Sequence, residues 1–196
     1  MNADALMTLL AGRRSYRRFD ESRPVPDDAL ADMLEAARLS SCAGNRQLLR
    51  FVIVRSPRLC ARVFPLTRWG AALPEGRGTP PEGRRPVLYC AVTVPEDRTS
   101  SLTDTDAGLA MGSMTLAAWA HGIGSCILGS IDRPALAQAL ELPPDRRIQS
   151  LIAFGYPAHT SEVVPPWEDG SLRYRMTEDD DLLVPKLPVS ELTVIL

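Results

Sequence analysis

The stretch from Asp104 to His121 constrains the fold of this 196-residue chain more than any other. Leu109, Met111, Met114, Leu116 and Trp119 stand there among alanines and glycines, and no acidic or basic chain follows Asp106 before His121. A helix that is apolar all round has no face to give to water, so it must be covered on every side. Its small residues, among them Gly108, Ala110, Gly112 and Ala118, also let a second helix approach closely. The expectation is the central helix of one domain, which also takes part in a dimer interface. With 45% hydrophobic residues the chain has material for one sizeable core, whereas two full domains would be cramped in this length.

Around that helix the periodicities alternate. Leu6, Leu9 and Leu10 predict a short amphipathic helix over about residues 4–11, ending at Gly12. Pro24 to Asp28 supply the start signals of a second helix, in which Leu30, Met33, Leu34 and Ala37 recur at helical spacing to about Leu39. Residues 40–47 have no periodicity and form a loop rich in amide and hydroxyl groups. Phe51 to Val54 and Val87 to Val94 read as strands buried on both faces, and Ser56-Pro57 caps a helix through Val63. Asp132 and Pro134 start a short helix to about Leu142, and Ile148 to Phe154 is a further strand. Glycines and prolines break every pattern at about 68–86, which predicts a mobile surface excursion rather than a domain linker. From about residue 158 an extended C-terminal arm follows. It finishes in Leu192-Thr193-Val194-Ile195-Leu196, expected as a strand that joins a sheet of its own or of a neighbour. Together these elements predict one α+β domain over 1–196, with a small central sheet flanked by helices.

Arg13, Arg14, Arg17 and Arg18 crowd into six positions of a chain whose net charge is −2. A solvated charged face, a nucleic-acid patch and a site for a phosphate-bearing cofactor all begin from such a cluster. Without a basic excess, neither duplex DNA nor an anionic membrane surface is expected as the main partner, so the cluster reads as a local site. No apolar run is long enough to span a bilayer. Cys42, Cys60, Cys90 and Cys126 form no C-x-x-C pair and have only His121 and His159 for company. Neither a disulfide framework nor a metal site is expected, and the compartment reads as cytoplasmic.

Gly122-Ile123-Gly124 lacks the third glycine of a dinucleotide fingerprint, because Ile127 stands there, and it follows a helix rather than a strand. The chain also carries no Walker loop, no G-x-S-x-G elbow and no Cys-His couple, so its chemistry is expected to come from a bound cofactor. Among the remaining candidates, His121 is expected to cap carbonyls, His159 to be solvated, and Cys126 to be a small buried hydrophobe. Asp179-Asp180-Asp181 reads as a solvated acidic turn, and Trp69 and Trp167 are candidates to shield a pocket.

The order of Arg13-Arg14-Ser15-Tyr16-Arg17-Arg18-Phe19, Pro24-Val25-Pro26, Gly44-Asn45-Arg46-Gln47, Asp106-Ala107-Gly108, Gly122 to Cys126 and Gly155-Tyr156-Pro157 resembles the FMN-dependent nitroreductase family from end to end. The resemblance implies an α/β/α sandwich that forms a homodimer, with two FMN sites at the interface built from both subunits. NADH or NADPH would be the reductant and an electron-poor small molecule, such as a nitroaromatic or quinone, the acceptor. By similarity, Arg13, Arg14 and Ser15 hold the FMN phosphate and ribityl end, and Lys186 reaches the phosphate from the tail. Arg17 falls near the pyrimidine edge of the ring, Asn45 and Gln47 bond the ring or ribityl hydroxyls, and Ile127, Leu128 and Gly129 match a turn whose amides address N5 and O4. No residue of the chain is implied as a catalytic group of its own. The chain departs from the family's pattern at Ser41, at Leu48-Leu49 and at Leu187-Pro188. A specialised branch (flavin cleavage, dehalogenation, azoline oxidation) and a non-catalytic or regulatory flavin-binding protein are the alternative functions.

Overall fold

The structure is a computed structural model and describes residues 2–98 and 100–196. Helices α1 (Ala3–Gly12) and α2 (Asp27–Arg38) precede strand β1 (Arg50–Val54) and helix α3 (Pro57–Val63). Strand β2 (Leu88–Pro95) leads into α4 (Ser101–Ala120), and β3 (Gly124–Leu128), α5 (Arg133–Ala139) and β4 (Arg146–Gly155) complete the body. The C-terminal arm holds β5 (Ser161–Val164), β6 (Arg175–Met176), β7 (Leu182–Pro185) and α6 (Val189–Leu192).

The body is organised by the pleat of β2 and β4. Successive strand side chains point to opposite faces, so Leu88, Cys90, Val92, Ile152 and Phe154 pack with α2 and α4 on one face. Tyr89, Ala91, Leu151 and Ala153 pack on the other, with Val63 of α3 and Leu136 of α5. The sheet order is β1-β2-β4-β3 with every pair antiparallel, and helices cover both faces. The continuous apolar run of β2 follows from that double cover. β1 was expected to be equally buried, but it lies at the sheet edge, where Arg50 is exposed and residues 51–53 are only partly covered.

α4 is about 30 Å long at the usual helical rise, capped by the Ser100 hydroxyl accepting from the Thr103 amide. Thr103, Ala107, Ala110, Met114 and Ala118 line its buried stripe. Cover on every side is not achieved within one chain, because Leu102, Gly108, Leu109 and Gly112 face outward. α1 has no fully buried residue and also exposes Leu6, Met7 and Leu10. No helix among the described residues is long and apolar enough to cross a membrane.

The arm departs from its expected form. β5, β7 and β6 make a second sheet, with β5 parallel to β7. The chain's end joins no sheet of its own: Val189–Leu192 form α6, and Thr193, though extended, has no partner strand among the described residues, so Val194 to Leu196 lie exposed. The acidic turn is not simply solvated. Asp180 faces Arg18 at 3.4 Å and Arg77 at 3.6 Å, and Asp181 accepts from the Thr160 amide. Segment 68–86, read as a mobile excursion, is anchored to the body through buried Trp69 and Leu73. Within it the chain crosses itself where a Cβ on Gly70 would lie 2.7 Å from the Gly78 Cα, so only glycine permits the crossing. Trp69 is thus part of the core and donates to the Thr67 hydroxyl, while Trp167 donates to the Arg173 carbonyl within the arm. His121 does not cap α4 with its ring, which instead sits 2.9 Å from the Asp32 carboxylate on α2.

Candidate functional site

Glycine decides how α1 ends. A Cβ on Gly12 would lie 2.5 Å from Trp119 Nε1, so α1 can stop against the last turns of α4 only because that side chain is missing. The chain then runs extended through Arg13 and lays itself along the edge of β3. Ser15 bridges Ser125 in parallel, and the Tyr16 amide donates to the Ser125 carbonyl at 2.9 Å. Tyr16 turns inward, stacks on Trp119 at 5.2 Å, and comes so close to β3 that Gly124 could carry no Cβ. Phe19 closes the run in the core against Gly155.

This geometry sorts the four arginines. Arg18 points inward and is 3% exposed, with its guanidinium donating to the carbonyls of Arg17, Arg77 and Gly78 and to Asp180. It joins the body to the arm and to segment 68–86 and has no face left for a ligand. Arg13, Arg14 and Arg17 are half-buried around the β3 edge. Arg14 donates to the Leu10 carbonyl from one terminal nitrogen, and Arg17 lies 4.7 Å from the centre of the Tyr174 ring. Their Nε atoms are buried and have no hydrogen-bond partner among the described residues. Burial first, and the neighbouring Arg13 charge second, hold the Arg14 pKa below its ordinary value. The Nε donors of Arg14 and Arg17 are thus two buried polar groups that the described residues leave without an acceptor.

The other expected site residues divide in two. Ile127 and Leu128 were read as part of a turn, but they lie within β3, paired with Ile152 and Leu151, and only Gly129 is past its end. The reason is that Gly122 already makes the turn, with φ of +71°, which frees residues 124–128 to extend. Strand alternation puts the Ile127 amide on the same outward edge as Ser125, next along the path of Arg17. Asn45 and Gln47 do not join this group. They are exposed, both have positive φ, and they sit in a loop tied to α4 by the Ala43 amide donating to Asp106 at 2.8 Å. Asp106 and Trp119 are nearly four turns apart, about 20 Å along the helix. Lys186 is exposed at the end of β7, and among the described residues no hydrogen bond or ion pair joins it to the arginines.

His159, expected to be solvated, is a member of the site. Its Nε2 accepts the Arg17 amide at 2.9 Å, its Nδ1 donates to the Thr160 carbonyl, and its ring meets Tyr16 edge-on. The contact spans 142 residues of sequence, so no local pattern could have revealed it. Tyr174 was missed for the same reason. Cys126 is buried as expected, and burial pushes its thiol up.

Burial lowers the His159 pKa from its ordinary value of 6.5, and the nearby arginine charges act in the same direction. Only the neutral ring can accept the Arg17 amide, so the stability it contributes is complete above pH 6.5 and declines as pH falls below it toward the lower native value. An NMR titration should place the His159 midpoint below 6.5, and His159→Ala should flatten the stability slope in that window. A midpoint at or above 6.5 would show that the ring does not hold Arg17 in this way.

A sequence model described as the nitroreductase family matches residues 10–79 and 83–156 of this chain. A Thermus thermophilus protein named NADH dehydrogenase is 28% identical over 181 residues, covering 74% of this chain and 83% of that protein. The crystal structure of a putative nitroreductase in complex with FMN from Desulfovibrio desulfuricans is similar over 100% of this chain and 97% of its own, with a TM-score of 0.71 and 25% identity. An FMN-dependent nitroreductase from Clostridium difficile superposes with a TM-score of 0.66 at 18% identity, over 80% of this chain and 90% of that one. The α+β body, its small antiparallel sheet and its flanking helices are the fold these structures share. The chain belongs to the nitroreductase family of oxidoreductases.

Proposed function

We propose that this protein is an FMN-dependent NAD(P)H oxidoreductase that reduces electron-poor acceptors such as nitroaromatics or quinones, and that it works as a homodimer. The observation that carries the reading is the pair of buried, unpartnered Arg14 and Arg17 Nε atoms on the β3 edge. FMN fits this donor set, since its phosphate would bring acceptor oxygens and the negative charge that the Arg13–Arg14 pair lacks, and the oxygen and nitrogen acceptors of its pyrimidine edge would face Arg17. The FMN complex of the Desulfovibrio protein and the name of the Thermus relative support the same cofactor and reductant.

Arg13, Arg14 and Ser15 would hold the phosphate and ribityl end, with Lys186 reaching it from the arm. Arg17, its backbone fixed by His159 and its guanidinium over the Tyr174 ring, would lie at the pyrimidine edge of the ring, where a positive charge favours the reduced form. The outward edge at Ile127, Leu128 and Gly129 would offer backbone groups to the ring. When bound, FMN supplies the two-electron chemistry, accepting hydride from the reduced nicotinamide and passing it to the acceptor. The chain contributes binding, orientation and charge, and no side chain needs to exchange a proton. Anaerobic addition of NADH or NADPH to the purified yellow protein should bleach it, and an acceptor should restore the colour with ping-pong kinetics. A flavin that neither nucleotide bleaches would point to a non-catalytic flavin-binding protein and overturn the reading.

A dimer resolves the separation of the two halves of the site. Asn45 and Gln47 sit about 20 Å along α4 from the arginines, so a single flavin would meet them most readily from a second copy. The uncovered apolar stripe of α4, the exposed face of α1 and the bare Val194 to Leu196 are surfaces such a copy would cover. Mixing tests this directly. Arg14→Ala and Asn45→Ala homodimers should each bind FMN weakly, whereas a refolded mixture should recover intact sites in its heterodimers. A mixture that binds no better than its components would place all the ligands in one subunit.

A further inference from the structure

A cavity of about 280 Å³ opens between α3, the start of β2 and the turn after Phe19, and shares no lining residue with the arginine site. Its walls are mainly apolar, with Pro24, Pro57, Ala61, Phe64 and Val87 among them. Two polar groups in it have no explanation within the chain. Tyr89 is 0% exposed, and its hydroxyl has no hydrogen-bond partner among the described residues. Arg85 lies with its guanidinium 4.7 Å from the centre of the Phe64 ring, and its buried Nε is also without a partner. Tyr89 and Arg85 both line the cavity, together with Glu21 and Cys60.

Folded interiors satisfy nearly every buried polar atom, and a buried hydroxyl without a partner is destabilising. Two such donors converging in one mostly apolar cavity have the form of a ligand site. We propose that this cavity binds a small aromatic monocarboxylic acid, whose carboxylate accepts from Arg85 Nε and the Tyr89 hydroxyl while its ring packs on the apolar wall. The charges present select a monoanion. Arg55 is already paired with Asp27, and Glu21, which accepts the Arg85 amide at 3.1 Å, would repel a second negative charge. The space exceeds the roughly 150 Å³ that accommodates a benzene ring. Cys60 is part of the wall rather than a reactive group, since its thiol faces the carbonyls of Val54 and Val87 and burial pushes it up to about 11.

Calorimetric titration of the purified protein with benzoate tests the proposal, with flavin absorbance followed alongside. We expect binding that leaves the flavin spectrum unchanged, and that weakens about tenfold or more in Tyr89→Phe and in Arg85→Gln, the loss expected for one hydrogen bond to a charged group. Benzyl alcohol, which keeps the ring without the charge, should bind more weakly than benzoate. Without ligand, Tyr89→Phe should raise the melting temperature, because it removes an unpaired buried hydroxyl. Absence of benzoate binding would overturn the proposal, as would equal binding by wild type and both variants or binding only with a change in the flavin spectrum. A lowered melting temperature for Tyr89→Phe would overturn it too, by showing that the hydroxyl already has a partner inside the protein. The cavity is separate from the arginine site, so these results stand whether or not the flavin reading holds.

Discussion

The backbone pairing of Tyr16 with Ser125 is the contact on which the rest of the site depends. It lays the segment after α1 along an otherwise open sheet edge, and edges are where unpaired amides and carbonyls remain available. Three close approaches hold it there: Gly12 against Trp119, Gly124 against Tyr16 and Gly155 against Phe19. An added methyl would meet α4 at Gly12, and would press Tyr16 and Phe19 away from the sheet at Gly124 and Gly155. With inward positions taken by Tyr16 and Phe19, the side chains of Arg13, Arg14 and Arg17 remain beside the free end of the edge.

One arginine of the cluster has a different task. Arg18 spends its guanidinium on three backbone carbonyls and Asp180, and so fastens both the arm and segment 68–86 to the same spot. Leaving the buried Gly78 carbonyl unpaired would cost about 1–3 kcal/mol, and the partly buried carbonyls of Arg17 and Arg77 less, which makes Arg18 a residue of the fold. Asp180 is partly exposed and adds less than the carbonyls do. The arm in turn delivers His159 and Tyr174 to Arg17, so the C-terminal segment fixes the orientation of an N-terminal cation.

Much of the body was legible from periodicity. The helices at 27–38, 57–63 and 101–120 and the strands β2 and β4 arise from repeating apolar patterns and local caps, which a sequence displays directly. The motif order also pointed to the family. What escaped reading depends on distance along the chain. β3 was taken for a turn because glycine and serine at 124 and 125 mask a strand whose partner, β4, comes more than twenty residues later. The arm was read only as extended because its order comes from Arg18 and Arg77, about a hundred residues or more away. His159 and the unpartnered Tyr89 hydroxyl have no sequence signature at all, since packing alone decides what a ring nitrogen or a hydroxyl meets.

The central claim is that the β3 edge reads a phosphate, and a comparison of FMN with riboflavin tests it most directly. Calorimetric titrations of wild type and Arg14→Ala with both ligands separate the phosphate from the ring. The account predicts that Arg14→Ala loses about 1.5–3 kcal/mol of FMN affinity, the worth of a hydrogen bond to a charged group, while riboflavin binding is nearly unchanged. An equal loss for both ligands would contradict it, because Arg14 would then act on the ring or the fold and not on the phosphate.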